Sequence, residues 1–443
     1  MSHTKESVIV EKTTSLCNEC MTRVDATLVE RDGKIFIEKS CPTHGAQVAL
    51  FEEDAAYHHR KKHYLKPGTK TTVQTEFKRG CPFDCGLCPH HKQHACIGLV
   101  EVTNACNMAC KVCYANSKAG EPHVPLETVK RMIDFFYEAE FGKPEILQIS
   151  GGEPTLHPNI IEIIRYARSK VKFAMLNTNG LRLTDEEFVK QLVFDDKFEV
   201  YMQFDGADDL RGRNAHKNKL RALELLKKYN IPCTLVCTVT PGVNDHLLGE
   251  IIQFGLDQDG VRGVNFQPVT FFGRLPKDVS SNLENRLTLS GVLKRIYTQA
   301  GLKPEDFVPL PCNPYRVAVS YFVKTAKGLE SICPKIPIDK VLPFINNTLA
   351  FNANELLASG PLCSCLGGLF PKTYTKSASG DKKLFLNSKT FRVTVASFID
   401  RYNFDEKSIQ QECVQFITPD NRRIPFSAYN MLHRQKYQLN NKS

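Results

Sequence analysis

The sequence of 443 residues has no long apolar run. Its uninterrupted apolar stretches are only a handful of residues each, far short of the roughly 20 residues that a membrane-spanning helix needs. Residues 1–15 also lack the apolar core that is typical of a secretory signal peptide. We therefore expect a soluble, cytoplasmic protein.

Disordered chains have few core-forming residues, and this sequence does not share that shortage. Hydrophobic residues make up 42% of the sequence and charged residues 24%, so the composition excludes a disordered protein. The length is enough for roughly two to four domains and a catalytic core of full size. No internal repeat divides the chain.

Aromatic residues are absent from the one dense basic block, residues 58–63. The formal net charge of +10 is otherwise spread along the chain. The block lies in a polar stretch, 52–76, and we interpret it as a solvated linker, with a surface for nucleic acid or lipid headgroups as the alternative. Because no aromatics are interleaved with the basic residues, we expect no nucleic-acid partner.

Cysteine, in contrast, is abundant, with 17 residues in the chain and ten of them within residues 1–113. A reducing cytosol keeps thiols free, so clustered cysteines indicate metal or iron–sulfur ligation rather than disulfides.

The cysteines and the hydrophobic periodicity divide the chain into four segments. Residues 1–50 are predicted to be a mini-domain, with a short hairpin between two metal knuckles. Residues 51–96 are a linker that ends in a second cysteine loop. Residues 97–270 alternate strands and helices, and residues 271–443 form a looser C-terminal domain.

Six strands are predicted in the alternating segment, over residues 99–103, 145–150, 173–177, 199–204, 234–239 and 263–268. Helical periodicity lies between them, and Thr184 with Glu187 has the spacing of a capping box at a helix start. Six βα repeats imply a parallel sheet of the α/β class, either open and doubly wound or curved into a partial barrel.

The most specific feature is the loop from Cys106 through Cys110 to Cys113, followed by Tyr114, directly after the first strand of the series. Three thiolates on one tight loop can hold three corners of a [4Fe–4S] cluster. No fourth cysteine follows, so one iron stays open to an external ligand. A structural zinc site would instead require four closed ligands.

Three other groups have metal-ligand character. Cys81, Cys85, Cys88 and Cys96 can close an auxiliary [4Fe–4S] cluster, with a four-cysteine zinc site as the alternative, and the nearby His90, His91 and His94 are interpreted as surface residues. Cys17, Cys20, Cys41 and His44 have the pattern of a structural zinc or mononuclear iron site. Cys312, Cys333, Cys363 and Cys365 can form a second auxiliary cluster or be buried thiols.

Of the remaining cysteines, Cys233 and Cys237 share one face of a predicted strand and are interpreted as core residues. Cys413 has no partner in the sequence.

The Cys-x3-Cys-x2-Cys loop, with its following aromatic residue and its place after the first strand, resembles the signature of the radical S-adenosylmethionine (SAM) enzymes. The resemblance implies a partial (β/α)6 barrel. It also implies that the amino and carboxylate groups of SAM chelate the open iron, and that one-electron reduction releases a 5′-deoxyadenosyl radical.

The same resemblance implies SAM-binding residues at the C-terminal rim of the sheet, where parallel folds place their ligands. The turn containing Gly151, Gly152 and Glu153 would contact the methionine amino group, near Tyr114. Asn179 and Asp205 would contact the ribose, with a loop-capping role as the alternative. No catalytic acid or base is indicated.

The order of motifs along nearly the whole chain resembles a single family. These motifs are Cys-x2-Cys, Cys-Pro-x-His-Gly, Gly-Cys-Pro-x-Asp-Cys-Gly-Leu-Cys-Pro, the radical loop, Pro309-Leu310-Pro311-Cys312 and residues 424–430. Members of that family were first assigned as 7,8-dihydro-6-hydroxymethylpterin methylases, and some are archaeal tetraether lipid synthases.

The family resemblance implies carbon–carbon bond formation at an unactivated carbon, by alkylation or methylation of a lipid or pterin-like substrate. It also implies an electron donor of the flavodoxin or ferredoxin type, and a lipid substrate would bring peripheral membrane contact. A radical SAM peptide-modifying maturase is a second hypothesis. A non-catalytic, metal-stapled nucleic-acid-binding protein is a third, although an open-iron loop has no purpose in such a module.

Overall fold

The computed structural model describes residues 7–69, 71–195, 197–206, 215–280, 283, 286–325, 328–335 and 390–440. Strands β1–β16 span Val8–Leu16, Arg23–Arg31, Lys34–Cys41, Gly45–Glu52, Ile97–Glu101, Ile146–Ser150, Phe173–Thr178, Phe198–Gln203, Cys233–Val239, Val261–Pro268, Val308–Pro309, Val317–Thr325, Gly328–Ser331, Thr390–Ala396, Val414–Ile417 and Arg423–Pro425.

Helices α1–α11 span Ala55–Lys62, Leu126–Ala139, Ile160–Lys170, Glu186–Gln191, Ala215–Lys228, Leu248–Asp257, Lys277–Ser280, Leu289–Ala300, Glu406–Ile409, Phe426–Ala428 and Arg434–Asn440. A π-helical turn, Tyr429–His433, connects α10 to α11. Short 3-10 turns occur at Pro154–Leu156, Leu181–Thr184, Pro304–Asp306 and Cys333–Lys335.

The N-terminal strands β1–β4 form an antiparallel meander, in the order β1-β2-β3-β4. Alternate residues such as Leu28, Ile35 and Ile37 are buried and form a small core of their own, as the two-residue repeat of a strand requires. The domain is therefore larger than the single hairpin predicted around residues 34–38, because β1 and β4 extend that hairpin on both sides.

The second sheet contains β5–β10, which are parallel and adjacent in chain order. It is extended in parallel by β15 beside β5 and by β14 beside β10. The antiparallel strands β11–β13 and β16 lie at its edges. The six βα repeats and the α/β class expected from the sequence are confirmed.

Helices α2, α3, α5, α6 and α8 pack their apolar residues against one face of this sheet. Phe136, Ile163 and Val292 from three of these helices are fully buried in the largest hydrophobic cluster of the described residues. One predicted helix start was wrong by a residue: α4 is capped by Asp185, whose carboxylate accepts the Glu187 amide at 3.0 Å, rather than by Thr184.

The basic block is not a solvated linker. Residues 55–62 form α1, and Lys61 is buried in an ion pair with Glu52, with an Nζ–Oε2 distance of 2.7 Å. Lys62 pairs with Glu11. The sequence suggested a linker because the partner acids are scattered along other strands. Among the described helices, none combines the length and the apolar character that a membrane crossing requires.

Candidate radical SAM site

A cavity of about 300 Å³ lies against the sheet on the side away from the packed helices. Alternate residues of the parallel strands line it, among them Gln148, Asn177 and Gln203, because side chains of successive strand residues point to opposite faces. The cysteine loop and the turn after β6 line its rim. This is the carboxyl end of the parallel strands, where the sequence predicted the site.

The three cysteines of the radical loop all line this cavity. The loop is fixed by a segment that follows β10, since the Cys113 and Arg274 backbones exchange two hydrogen bonds of 2.9 Å. The Arg274 Nε atom also donates to the Cys110 carbonyl at 2.7 Å. Burial is the largest cause that raises the pKa of Cys106 to about 11, and a bound iron would stabilise the thiolate.

Gly273 and Arg274 were not found from the sequence, because no local spacing connects residues after β10 to the cysteine loop. Gly273 has a φ of +59°, and a Cβ atom there would overlap the carbonyl oxygens of Cys113 and Tyr114. Only glycine allows this close approach.

The Gly-Gly-Glu-Pro turn packs against the start of the cysteine loop. The Gly152 amide donates to the Thr103 carbonyl and the Glu153 amide to the Ala105 carbonyl, each at 2.8 Å. A Cβ atom on Gly151 or Gly152 would overlap this backbone. The glycines therefore let the turn after β6 and the segment after β5 meet at the cavity rim.

Glu153 is fully buried, and its carboxylate is occupied by the protein. It accepts hydrogen bonds from the Thr155 amide and hydroxyl, the Thr178 hydroxyl and the Asn179 amide. The side chain therefore ties the end of β6 to the end of β7.

Tyr114 lies half-buried beside the cavity, with its hydroxyl 3.5 Å from the Ser150 Oγ atom. The Arg434 guanidinium lies 5.3 Å from its ring centroid and pairs with Glu101 at 2.9 Å. Burial raises the pKa of Tyr114 to about 12. The C-terminal helix α11 thereby contacts the radical loop, a contact that the sequence did not predict.

The two predicted ribose-binding residues differ in their surroundings. The Asn179 Nδ2 atom donates to Asn107 Oδ1 at 2.8 Å, next to the cysteine loop. Asp205 is only 2% exposed, and its Oδ1 atom accepts the Thr238 amide at 2.8 Å. This hydrogen bond joins the ends of β8 and β9, so Asp205 has the capping contact that was predicted as the alternative, and its ribose role stays a prediction.

The predicted grouping of Cys96 with Cys81, Cys85 and Cys88 is corrected. The Cys96 thiol lies with Cys312 and Cys413, all three sulfur atoms being within 4.8 Å of one another. Parallel pairing of β15 with β5 places Val414 opposite Ile97, so the cysteines that precede them become neighbours. The partner of Cys413 is thus set by long-range sheet pairing.

These three thiols are fully buried. His94, which was predicted to be a surface residue, lies beside Cys96. Its Nε2 atom is 3.6 Å from the Cys96 sulfur. The three thiols suit zinc or an iron–sulfur cluster, and His94 forms a second group of possible ligands with Cys96 and Glu145.

Cys81, Cys85 and Cys88 lie in a separate buried region. Cys81 and Cys85 pack with Leu16, Leu99 and other apolar residues. A side-chain contact with Cys81 is the largest cause that lowers the pKa of Cys88 to about 6.

The loop that carries these three cysteines is shaped by Asp84. Its Oδ2 atom accepts the amides of Lys78 and Gly80, each at 2.7 Å.

The N-terminal knuckles come together as predicted from their spacing. Ligand atoms of Cys17, Cys20, Cys41 and His44 lie within 4.8 Å of one another. The His44 Nδ1 atom is 3.5 Å from the sulfur atoms of both Cys17 and Cys41. Burial opposes ionisation of Cys17, but the Cys20 and Glu19 amides lower its pKa to about 6, which suits a metal-binding thiolate.

The remaining C-terminal cysteines do not complete a site within the described residues. Cys333 is buried near Ser320 and Tyr321 and not with Cys312. Cys363 and Cys365 lie outside the residues that the structure describes.

Comparison with known proteins identifies the family. Residues 100–255 match the radical SAM superfamily, and residues 9–53 match the HMPTM N-terminal zinc ribbon domain. The 7,8-dihydro-6-hydroxymethylpterin dimethyltransferase of Methanocaldococcus jannaschii is 32% identical over 480 aligned positions, covering 96% of this chain and 94% of that protein. The chain belongs to this radical SAM family.

Other relatives of this radical SAM enzyme match a smaller part of the chain. The mycofactocin maturase MftC of Mycolicibacterium smegmatis is 31% identical over 156 residues, which are 34% of this chain and 39% of that protein. Among solved structures, SuiB of Streptococcus suis bound to S-adenosylmethionine aligns with a TM-score of 0.36 and 14% identity, over 46% of this chain and 47% of that one.

The radical SAM assignment fits the residues at the cavity rim. Three soft thiol donors on one loop face a cavity that also contains the glycine turn, Tyr114 and Asn179. This arrangement can hold a cluster by three irons and leave the fourth beside space for a ligand.

Proposed function

We propose that this radical SAM enzyme methylates a pterin-like small molecule at a carbon atom. The observation that carries the proposal is the 32% sequence identity to the pterin dimethyltransferase, in an alignment that covers 94% of that protein. A match of this extent includes the metal-binding segments at both ends of the chain as well as the barrel.

In this proposal the cluster and SAM, when bound, would supply the 5′-deoxyadenosyl radical that removes a substrate hydrogen. A second SAM molecule would donate its methyl group to the resulting carbon radical and leave as S-adenosylhomocysteine, and each of the two steps would take one electron from the reductant. The chain's own residues hold and orient these groups. Cys106, Cys110 and Cys113 ligate three irons, and the carbonyls of the turn at Gly151 and Gly152 accept the SAM ammonium. Asn179 lies beside the cysteine loop, where it can contact the ribose.

The lining of the cavity supports a pterin-like substrate over a lipid. Side-chain amides from several strands face the cavity, among them Gln148, Asn177, Gln203 and Asn265. A saturated lipid chain offers these amides no hydrogen bond, and burying unpaired polar groups against it is unfavourable. A heterocycle with ring nitrogens and an exocyclic amine offers both donors and acceptors.

The proposal includes two auxiliary metal centres. One uses Cys96, Cys312 and Cys413, with His94 as the fourth donor, and is supported by the proximity of the three sulfur atoms. The other uses Cys81, Cys85 and Cys88. The N-terminal site of Cys17, Cys20, Cys41 and His44 holds zinc or a single iron in a structural role.

The one-electron step requires a reductant, for which we propose a flavodoxin or ferredoxin in a reducing, cytoplasmic compartment. The grouping of cysteines at metal-ligand distances supports such a compartment. Peripheral membrane contact is expected only for a lipid substrate, so it is not part of the proposal for a pterin-like substrate. The similarity to peptide maturases is confined to about a third of the chain, so a peptide substrate is also less favoured.

The radical chemistry is tested with protein reconstituted anaerobically with iron and sulfide. With dithionite and SAM, the enzyme is expected to form 5′-deoxyadenosine, and the triple variant Cys106→Ala, Cys110→Ala, Cys113→Ala is expected to form none. Addition of 7,8-dihydro-6-hydroxymethylpterin should yield a methylated product detectable by mass spectrometry.

The matched control is Cys233→Ala, which removes a buried thiol from β9 away from the radical loop. This variant should retain SAM cleavage. Cleavage by the triple variant would overturn the site, whereas cleavage without methylation of the pterin would overturn the substrate.

A further inference from the structure

Several buried amide atoms in the cavity have no hydrogen-bond partner among the described residues. They are both amide atoms of Gln203, the Oδ1 atom of Asn177 and the Oδ1 atom of Asn265. Buried polar atoms in folded proteins are nearly always paired, so each exception requires an explanation. These three side chains line the same cavity, so a bound ligand is the natural partner.

The sheet register places Gln203 and Asn265 on one arc of the cavity wall. Gln203 of β8 lies opposite Val236 of β9, which lies opposite Asn265 of β10. Neighbouring strands are about 4.8 Å apart, so Gln203 and Asn265 are separated by roughly 10 Å across the cavity wall. Asn177 of β7 lies opposite Tyr201, two residues before Gln203 on β8, and its Nδ2 atom already donates to Gln148 at 3.2 Å.

The unpaired atoms include both donors and acceptors. Gln203 offers one of each, while Asn177 and Asn265 each offer an acceptor. Met175 of β7 and Val236 of β9 supply apolar surface to the same cavity. The combination fits a flat ring whose edge carries alternating donors and acceptors, and it does not fit a hydrocarbon chain.

We infer that Gln203, with Asn177 and Asn265, recognises the hydrogen-bonding edge of a flat nitrogen heterocycle and so determines the substrate specificity of the enzyme. This inference rests on the proposed function and assigns specificity to named residues. Two arginines also line the cavity: Arg392 donates to the Tyr201 hydroxyl at 2.7 Å, and Arg316 donates to the Ser408 hydroxyl at 2.9 Å.

The test compares two probes on the reconstituted full-length enzyme, namely 6-hydroxymethylpterin and 6-hydroxymethyllumazine, in which an oxygen replaces the exocyclic amine. Binding is measured by fluorescence titration. The wild type is expected to prefer the pterin, because a site that pairs with the amine leaves its own polar groups unpaired against the oxygen. We expect a preference of about tenfold or more.

The variants Gln203→Met and Asn265→Leu are close to isosteric and remove the unpaired atoms. Each is expected to bind the pterin about tenfold or more weakly and to lose the preference over the lumazine. Their thermal unfolding midpoints should equal or exceed that of the wild type, because they remove buried polar atoms that have no partner. Gln253→Met, the same change on the exposed face of α6, should alter neither binding nor preference.

Retention of the preference in both variants, or a lowered unfolding midpoint with unchanged binding, would overturn the inference. Failure of the wild type to bind either probe would overturn it as well. The formation of 5′-deoxyadenosine and methylated pterin by the wild type is measured on the same preparation. This measurement distinguishes failure of the proposed function from failure of the amide assignment. If the pterin is methylated while the variants keep their preference, the proposed function stands and the amide assignment fails.

Discussion

At the scale of single residues, the buried ion pair between Lys61 and Glu52 joins the N-terminal sheet to the rest of the molecule. Glu52 also accepts the Ser290 amide at 3.0 Å at the start of α8. Burial opposes ionisation, but Lys61 and Ser290 lower the pKa of Glu52 to about 2. Removal of Lys61 would leave a buried carboxylate without its counterion.

We expect Lys61→Met to reduce the free energy of unfolding by about 3–5 kcal/mol, measured by urea unfolding of the reconstituted enzyme. The double variant Glu52→Gln, Lys61→Met should recover part of this loss. The control Lys62→Met removes a more exposed pair with Glu11 and should cost less than about 1 kcal/mol. Equal losses for Lys61→Met and Lys62→Met would contradict the assigned burial.

Gly273 offers a second prediction at this scale, because its Cβ position is occupied by the backbone of the cysteine loop. We expect Gly273→Ala to displace Cys113 and Tyr114 and to lower the rate of SAM cleavage about a hundredfold. The control is Gly260→Ala, which has a similar φ of +88° but only one atom, at 3.9 Å, near the new methyl group. If both variants cleaved SAM at the same rate, close packing on the cysteine loop would not explain Gly273.

At the scale of elements, strand β15 completes a metal-binding group by pairing with β5. Cys96 and Cys413 are neighbours only because Val414 lies opposite Ile97. We expect Cys413→Ala to lose one metal centre, either about four irons or a single zinc, measured by elemental analysis. The wild type should contain more than the four irons of one cluster.

Cys233→Ala is again the matched control for this measurement, since its buried thiol lies on β9 away from the metal groups. Full metal content in Cys413→Ala would show that the three neighbouring thiols hold no metal.

The difference between local and long-range order also explains how much the sequence could predict. The radical loop and the six parallel strands were found because cysteine spacing and hydrophobic periodicity are local signals. The partners of Cys96 were not found. Its nearness in sequence to Cys88 suggested a site with that residue, whereas the pairing of β15 with β5 places it next to Cys413. The contact of Gly273 with the cysteine loop is of the same kind, and no spacing reveals it.

The N-terminal region illustrates the same limit. The metal knuckles were predicted from short spacings, whereas the basic block was interpreted as a linker. Lys61 is recognisable as a buried residue only when its partner on β4 is known, and charge alone indicates a solvated position.

At the scale of the whole molecule, hydrogen bonds join the N-terminal metal domain to the segment that follows β14. The Ser15 hydroxyl donates to the Phe404 carbonyl at 2.7 Å, and the Lys39 ammonium donates to the Arg401 carbonyl at 3.0 Å. The C-terminal helix α11 in turn contacts Tyr114 through Arg434. The N-terminal metal domain is therefore joined to the segment after β14, and α11 contacts the radical loop.

We propose that this enzyme generates a radical at a carbon atom of a pterin. The most direct measurement uses 7,8-dihydro-6-hydroxymethylpterin deuterated at its carbon positions, incubated with the reduced enzyme and SAM. We expect mass spectrometry to find deuterium in the 5′-deoxyadenosine, together with a methylated pterin. Unlabelled 5′-deoxyadenosine alongside unmodified pterin would contradict this proposal.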